Sequence, residues 1–360
     1  MLWIVTLFVH SLLVVAKPTE NDEDNNNTID EEFARNNGIL PTRYKYGDLK
    51  EPQPLILIRN GTVSAIHYPN VNGTLKVNGE NRNFSSSTCY HLSEHTARST
   101  KWSCYNRNTH VEIGFNLSTD FLRMIELCRN EKTYNTYCTK FRLTKLIGGQ
   151  QRSYTSPSKR MVEDYYGKID IYMQYNSNWQ LLCNVKSIPV QRIYDGNERA
   201  LQSLIFWYIN AASQWTSFKA GNWQRLENSI RNFATYPSLD LDVYTGIHGQ
   251  MTLLNASGKQ KDIYLYVNGT TTAVPIPKFY WKIIYDPRSK KGTAFVGLND
   301  PFIKSITEDI YICSDISSMI KWLLWRPNDI KVGISYACTV DDLRKAVPTI
   351  PTFQTVGILK

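Results

Sequence analysis

Ser203–Arg231 reads SLIFWYINAASQWTSFKAGNWQRLENSIR, and the fold is decided by how this stretch is interpreted. The run Leu204–Ile209 is apolar, aromatic and unbroken, the pattern of a short strand buried on both faces. Asn210 closes that run. A polar loop with Gln214, Trp215 and Lys219 is expected next, and Gly221-Asn222 then opens a helix. Trp223, Leu226, Ile230 and Phe233 recur at helical spacing and give that helix one apolar stripe. Glu227 and Arg231 stand four apart, so they occupy neighbouring positions on one face and can pair. A strand, a loop and a helix that presents a carboxylate beside a guanidinium could form a phosphate site. Taken alone, the pattern is more often an ordinary strand-loop-helix with an exposed ion pair.

A longer likeness changes that balance. Asn210–Arg231, NAASQWTSFKAGNWQRLENSIR, resembles NAAPQWQTFNGGNWxxLExxxR, a signature of the DNA/RNA non-specific endonuclease family, the secreted ββα-metal nucleases. The resemblance continues through LDVYTGIHG (Leu241–Gly249), VPIPKFYWKIIYDP (Val274–Pro287) and GTAFVGLNDPF (Gly292–Phe302). It ends with YICSDISSMIKWLLWRP and GISYACTVDDLRKAVPTIP, spanning roughly Tyr137 to Pro351. It implies an α+β fold: a ββα-metal nuclease-like core around a central antiparallel sheet, preceded by a small disulfide-tied β region.

Hydrolysis of a phosphodiester needs a base to activate water, a hard divalent cation to neutralise growing charge, and basic donors on the equatorial oxygens. In the family resembled, the base is the histidine of an R-G-H motif ahead of the quoted stretch. The metal is held chiefly by the first Asn of TFNGGNW, and a Glu and an Arg on the next helix support it. Carried over position by position, Asn210, Gln214, Glu227 and Arg231 are retained, while Ser213 replaces a proline. Lys219 stands in the place of the metal-ligating asparagine, and an ammonium has no lone pair to give a cation. Counting back to the base motif gives Asn184-Val185-Lys186-Ser187-Ile188-Pro189, so Asn184 takes the arginine's place and Lys186 the histidine's. No histidine lies between His110 and His248, so no slip of register supplies one.

The resemblance therefore implies a site with no intact catalytic residue and no resident metal, although Mg2+ serves active members. Lys186, Lys219 and Arg231 would instead hold a backbone phosphate without cutting it. The expected partner is DNA, RNA or another polyanion. Two alternatives stand beside this one. A desolvated lysine near other cations can lose its proton, which allows a weak nuclease with Lys186 as base. The fold can also be a scaffold for an extracellular interaction protein.

The wider composition agrees with export and with an anionic partner. The chain has 360 residues and a formal charge of +9, with 42% hydrophobic and 12% aromatic residues, enough for a sizeable core. Met1–Ala16 is apolar and breaks at Lys17-Pro18, the pattern of a secretory signal. Residues 17–50 open as an acidic, Asn-rich leader, read as disordered. Residues 1–32 hold one lysine against seven carboxylates, a net of −6, which leaves +15 on the rest. N-x-[ST] acceptor sites stand at Asn26, Asn60, Asn72, Asn83, Asn116, Asn255 and Asn268. Residues 51–136 read as a β-rich, cysteine-containing region with strands near 55–58, 63–68, 74–77 and 110–115, and 137–360 as the nuclease-like domain, with a further strand near 168–175. Seven cysteines in an oxidising compartment should mostly pair. Proximity along the chain suggests Cys89–Cys104, Cys128–Cys138 and Cys313–Cys338, leaving Cys183 free. No stretch beyond the first sixteen residues is apolar and long enough to span a bilayer.

Overall fold

The computed structural model describes short strands at 3–7, 57–59, 62–64, 74–77 and 80–83. It then describes 95–116, 121–143, 208–235 and 239–360 apart from residues 256, 269 and 328. Eight strands form one antiparallel sheet: β1 (His95–Cys104), β2 (Asn108–Asn116), β3 (Phe121–Arg129), β4 (Thr136–Leu143), β6 (Leu241–Gln250), β7 (Pro277–Asp286), β8 (Lys291–Leu298) and β9 (Ser335–Cys338). Their order across the sheet is β9-β8-β7-β6-β4-β3-β2-β1. A ninth strand, β5 (Ala211–Trp215), lies off this sheet and leads into α1 (Gln224–Thr235); α2 (Val340–Ala346) follows β9. The fold is α+β, as expected.

Sequence explains the order. β7, PKFYWKIIYD, is buried on both faces apart from Lys278, and such a strand has to sit inside the sheet with cover on each side. β1, HTARSTKWSC, is polar and exposed enough to form an edge. One face of the sheet packs Val111, Ile125, Phe141, Val243, Tyr280, Ile284 and Phe295 against Trp223, Leu226 and Ile230 of the α1 segment. The other face packs Tyr244, Trp281, Ile283, Val296 and Tyr336 against Leu343 of α2 and the chain that follows it. On that second face, beyond the reach of α2, the cross-strand row Arg98, Glu112, Glu126 and Lys140 is laced by ion pairs. α2 is begun by Thr339, whose side chain accepts from Asp342 N–H at 3.2 Å, and it carries Asp341 and Asp342 first and Arg344 and Lys345 last, matching the helix dipole.

Several expectations are corrected. Tyr208–Asn210 form a tight turn, so the expected strand does not run on to Ile209, and Asn210 directly precedes β5, Ala211–Trp215. The loop expected around Gln214 and Trp215 is thus strand, and both side chains are buried. Positions 204–207 lie outside the described residues, as do Asn184, Lys186 and 168–175. Of the strand expected at 63–68, the described part is Thr62–Ser64 and positions 65–68 lie outside the described residues, whereas Thr74–Val77 is found as expected.

Cysteine pairing is corrected in part. Cys313–Cys338 is present, but Cys104 bonds Cys128, and Cys138 is a buried free thiol. The reason is register. Cys104 ends β1, where the short β1–β2 turn brings it back beside β2, and His110 of β2 lies opposite Cys128 of β3. Cys138 also faces Cys128, from β4 on the other side, so proximity along the chain did not decide the partner. Cys89 and Cys183 lie outside the described residues.

Trp3–Leu7 lies antiparallel to β5 in a two-stranded ladder, which cleavage after Ala16 would remove. Among the described residues, no helix is long and apolar enough to cross a membrane.

Candidate functional site

The site is built on β5, the turns after it and α1, all on the sheet face that carries Tyr280 and Phe295. β5 is small and polar, so the sheet fixes it by hydrogen bonds rather than by bulk. Trp215 N–H donates to Asn299 Oδ1 at 2.9 Å, and Asn299 Nδ2 donates to the carbonyls of Ser213 and Pro277 at 3.2 and 2.9 Å. Tyr280 O–H adds a bond to the Ser213 carbonyl at 2.7 Å. The Trp215 indole is buried and set edge-on to Phe302, so it packs and is not offered to a base.

Between β5 and α1 the backbone makes one turn of helix at Thr216–Phe218 and then a wider turn over Lys219–Trp223. Gly221 (φ −96°, ψ −122°) breaks the helical path there. A Cβ at that point would lie 2.1 Å from the Val332 carbonyl oxygen, so no other residue fits without moving backbone. Asn222 clamps the same segment. Its amide donates to the Arg326 and Gly333 carbonyls at 2.6 Å each and accepts from Arg326 N–H at 2.7 Å. The Phe218, Trp223 and Tyr280 rings pack together beneath, with centroids 5.2 to 5.9 Å apart.

This frame places Lys219 against Glu227. The ammonium Nζ lies 2.9 Å from Glu227 Oε2, and the two side chains are 5% and 3% exposed. The pair is therefore inside the protein, where each charge offsets part of the other's cost of burial. Asn210, just before β5, and Gln214, near its end, are both buried. Arg231 lies one turn beyond Glu227 on α1. The structure thus brings Asn210, Gln214, Lys219, Glu227 and Arg231 onto one strand-turn-helix unit. Glu227 pairs with Lys219 across the turn, a contact that helical spacing does not show.

His248 does not supply a base here. Ile247 packs with the α1 cluster, so its neighbour His248 points to the opposite side of the sheet, beside Phe279. Burial pushes its imidazole below the ordinary value. His95 and His110 stand on β1 and β2, at the far edge.

One buried cation was not singled out from sequence. Lys282 on β7 is 2% exposed, donates to Thr245 Oγ1 at 2.7 Å and lies over the Trp223 ring at 5.7 Å. Its signal in the sequence is a lone charge inside FYWKIIY, an otherwise apolar run. The tip after β7, with Arg288, Lys290 and Lys291, is a solvated turn as expected. Asp286 accepts from the N–H groups of Arg288 and Ser289 and from the Ser289 hydroxyl at 3.0, 3.2 and 2.6 Å.

The residues present do not fit a divalent ion. The position that would give an oxygen gives an ammonium instead, and that ammonium already holds the carboxylate. No group of three or more His, Cys, Asp or Glu able to hold a metal exists among the described residues.

Comparison with known proteins locates this unit. Residues 194–343 match the family model described as DNA/RNA non-specific endonuclease. A salivary endonuclease of Lutzomyia longipalpis is 24% identical over 332 residues, covering 86% of this chain and 78% of that protein. Salivary protein Tsal1 of Glossina morsitans morsitans is 27% identical over 144 residues, 40% of this chain and 35% of Tsal1. Among solved structures, a chain of the EndoG/EndoGI complex aligns with a TM-score of 0.36 and 17% identity, over 65% of this chain and 87% of that one.

Proposed function

Since the chain belongs to the DNA/RNA non-specific endonuclease family, we propose that it is an extracellular member that binds nucleic acid or a similar polyanion and has lost efficient metal-dependent hydrolysis. One observation carries this reading: the ammonium of Lys219 lies 2.9 Å from the Glu227 carboxylate, with both side chains buried. A catalytic divalent ion would need that space and that carboxylate, and a fixed positive charge repels it. With the base position read as Lys186, neither half of the hydrolytic apparatus remains.

Binding survives more readily than cleavage, because phosphate affinity needs only positive charge. Lys186, Lys219 and Arg231 are the proposed phosphate contacts, with Lys219 contributing least because Glu227 already compensates it. The body of the chain carries +15 outside its acidic leader, which favours a polyanion over a neutral ligand. Export is supported by the salivary proteins it resembles, by the apolar first sixteen residues and by the two disulfides.

The test is a gel shift with mixed-sequence DNA and RNA. Binding should be unchanged by EDTA, and three phosphate contacts should weaken it about 40-fold between 50 and 200 mM salt. Absence of any shift at low ionic strength would leave the scaffold reading in its place.

A further inference from the structure

We propose that Trp102 and the cations beside it form a second nucleic-acid contact, a platform on which one base of a single strand stacks. This deepens the reading of the chain as a nucleic-acid binder and rests on it. β1 and β2 are paired as far as Ser99 and Val111 and again from Ser103 and Thr109, so Thr100, Lys101 and Trp102 stand opposite His110 alone. Such a bulge re-aims the side chains it carries. Thr100 closes it, its hydroxyl lying 2.9 Å from His110 Nδ1 and accepting from Trp102 N–H at 3.2 Å. Trp102 is left 79% exposed, more than any other large apolar side chain among the described residues. The core makes no use of it. A bulge blunts an edge strand whatever side chain it holds, so edge protection leaves a tryptophan here unexplained.

The surroundings select the partner. The β1–β2 turn and the β3–β4 turn lie at one end of the sheet, where Thr109 Oγ1 donates to Glu131 Oε1 at 2.6 Å. Residues 100–108 and 130–135 hold Lys101, Arg107 and Lys132 against Glu131 alone. All three cations are exposed, and among the described residues none of them forms an ion pair. By contrast, Arg98, Arg123, Lys140 and Arg142 on the same four strands all pair with carboxylates. The support is rigid. Cys104–Cys128 ties β1 to β3, and Asn106 and Arg107, at φ 53° and 61°, make the two-residue turn whose twist suits a hairpin. A nucleotide offers a flat apolar face and an anionic backbone, and an exposed indole flanked by unpaired cations answers both. Membrane insertion needs an apolar face of several side chains, whereas Trp102 shares its bulge with Thr100 and Lys101. A duplex keeps the faces of its bases inside the stack, so the platform takes a single strand.

The probes are an oligothymidylate and a mixed-sequence duplex of equal length, titrated at low salt against the natural chain and Trp102→Ala. The variant should bind the single strand about fivefold or more weaker, and the duplex less than about twofold weaker. Trp102→Phe keeps a ring and should recover part of the loss. Lys101→Ala/Arg107→Ala should lower the log–log salt slope of single-strand binding by about 1.4, two charges at ~0.7 each. Melting temperatures should agree within about 2 °C, because an exposed ring carries little stability; a larger fall in Trp102→Ala would mean that the ring packs, and counts against the platform. Three binding results overturn the proposal: equal single-strand affinity for the natural chain and Trp102→Ala, equal losses on single strand and duplex, and loss of binding to phosphatidylserine vesicles with oligonucleotide affinity intact, which would make the ring a membrane contact. If the natural chain binds neither nucleic acid, the functional reading fails and the platform falls with it. If the natural chain binds and Trp102→Ala binds equally, the platform alone is removed.

Discussion

Lys219→Met leaves a side chain of similar length without its charge, and so isolates the role of the buried ion pair. At 2.9 Å and an effective dielectric constant of about 20, the pair attracts by roughly 6 kcal/mol, most of which offsets the cost of taking both ions out of water. The net worth of the pair is therefore small, but breaking one side is costly because the buried Glu227 carboxylate then loses its Lys219 partner. That loss is on the order of 3–5 kcal/mol. For a body of this size it corresponds to a melting temperature lowered by about 6–20 °C. The adjusted double variant Lys219→Met/Glu227→Leu removes both charges and should recover most of the loss.

Thermal unfolding followed by circular dichroism at pH 8 gives the comparison. The reasoning is refuted if Lys219→Met melts within about 2 °C of the natural protein at pH 8, since 1 kcal/mol already moves the midpoint by that much. It is also refuted if the double variant is no more stable than the single one.

Three further outcomes are expected. Gly221→Ala should cost about 3 kcal/mol or more in urea unfolding, since its Cβ meets the backbone of Val332 and neither side can yield cheaply; a loss below about 1 kcal/mol would mean that the turn is not held there. Burial raises the Asp286 carboxyl, but the bonds from Ser289 and Arg288 outweigh it and hold the group below its ordinary 3.8. Its contribution is thus present above that value and is lost as pH falls through the lower folded-state value, so the melting-temperature gap between the natural chain and Asp286→Asn should close in acid. Peptide mapping after native alkylation should recover Cys104–Cys128 and Cys313–Cys338 with Cys138 unlabelled, since burial first and the Glu126 charge second push its thiol up to about 12; a Cys128–Cys138 peptide would contradict this.

The elements of the site were legible where sequence alone carries their identity. Asn210, Gln214, Lys219, Glu227 and Arg231 stand in one signature, and the structure gathers them on one strand-turn-helix unit. The Trp223, Leu226 and Ile230 stripe was legible for the same local reason, and it is the face that α1 buries. What escaped was set by distant partners. Ala211–Trp215 looks like a loop because most of its side chains are small or polar, but its backbone pairs with Trp3–Leu7 and is held by Asn299 and Tyr280, all far along the chain. The Lys219–Glu227 pair spans eight residues with a turn between them, so periodicity along the helix does not show it. The Cys104–Cys128 bond depends on the register of three strands, which local separation along the chain does not encode.

The central claim is that a charge substitution has ended hydrolysis and spared binding. It is tested most directly by incubating supercoiled plasmid and a long RNA with the purified natural chain in Mg2+ and in Mn2+, beside an EDTA control. The expected result is intact nucleic acid in all three, at protein concentrations that shift the same molecules in a gel. Cleavage that requires the divalent ion and disappears with EDTA would contradict it.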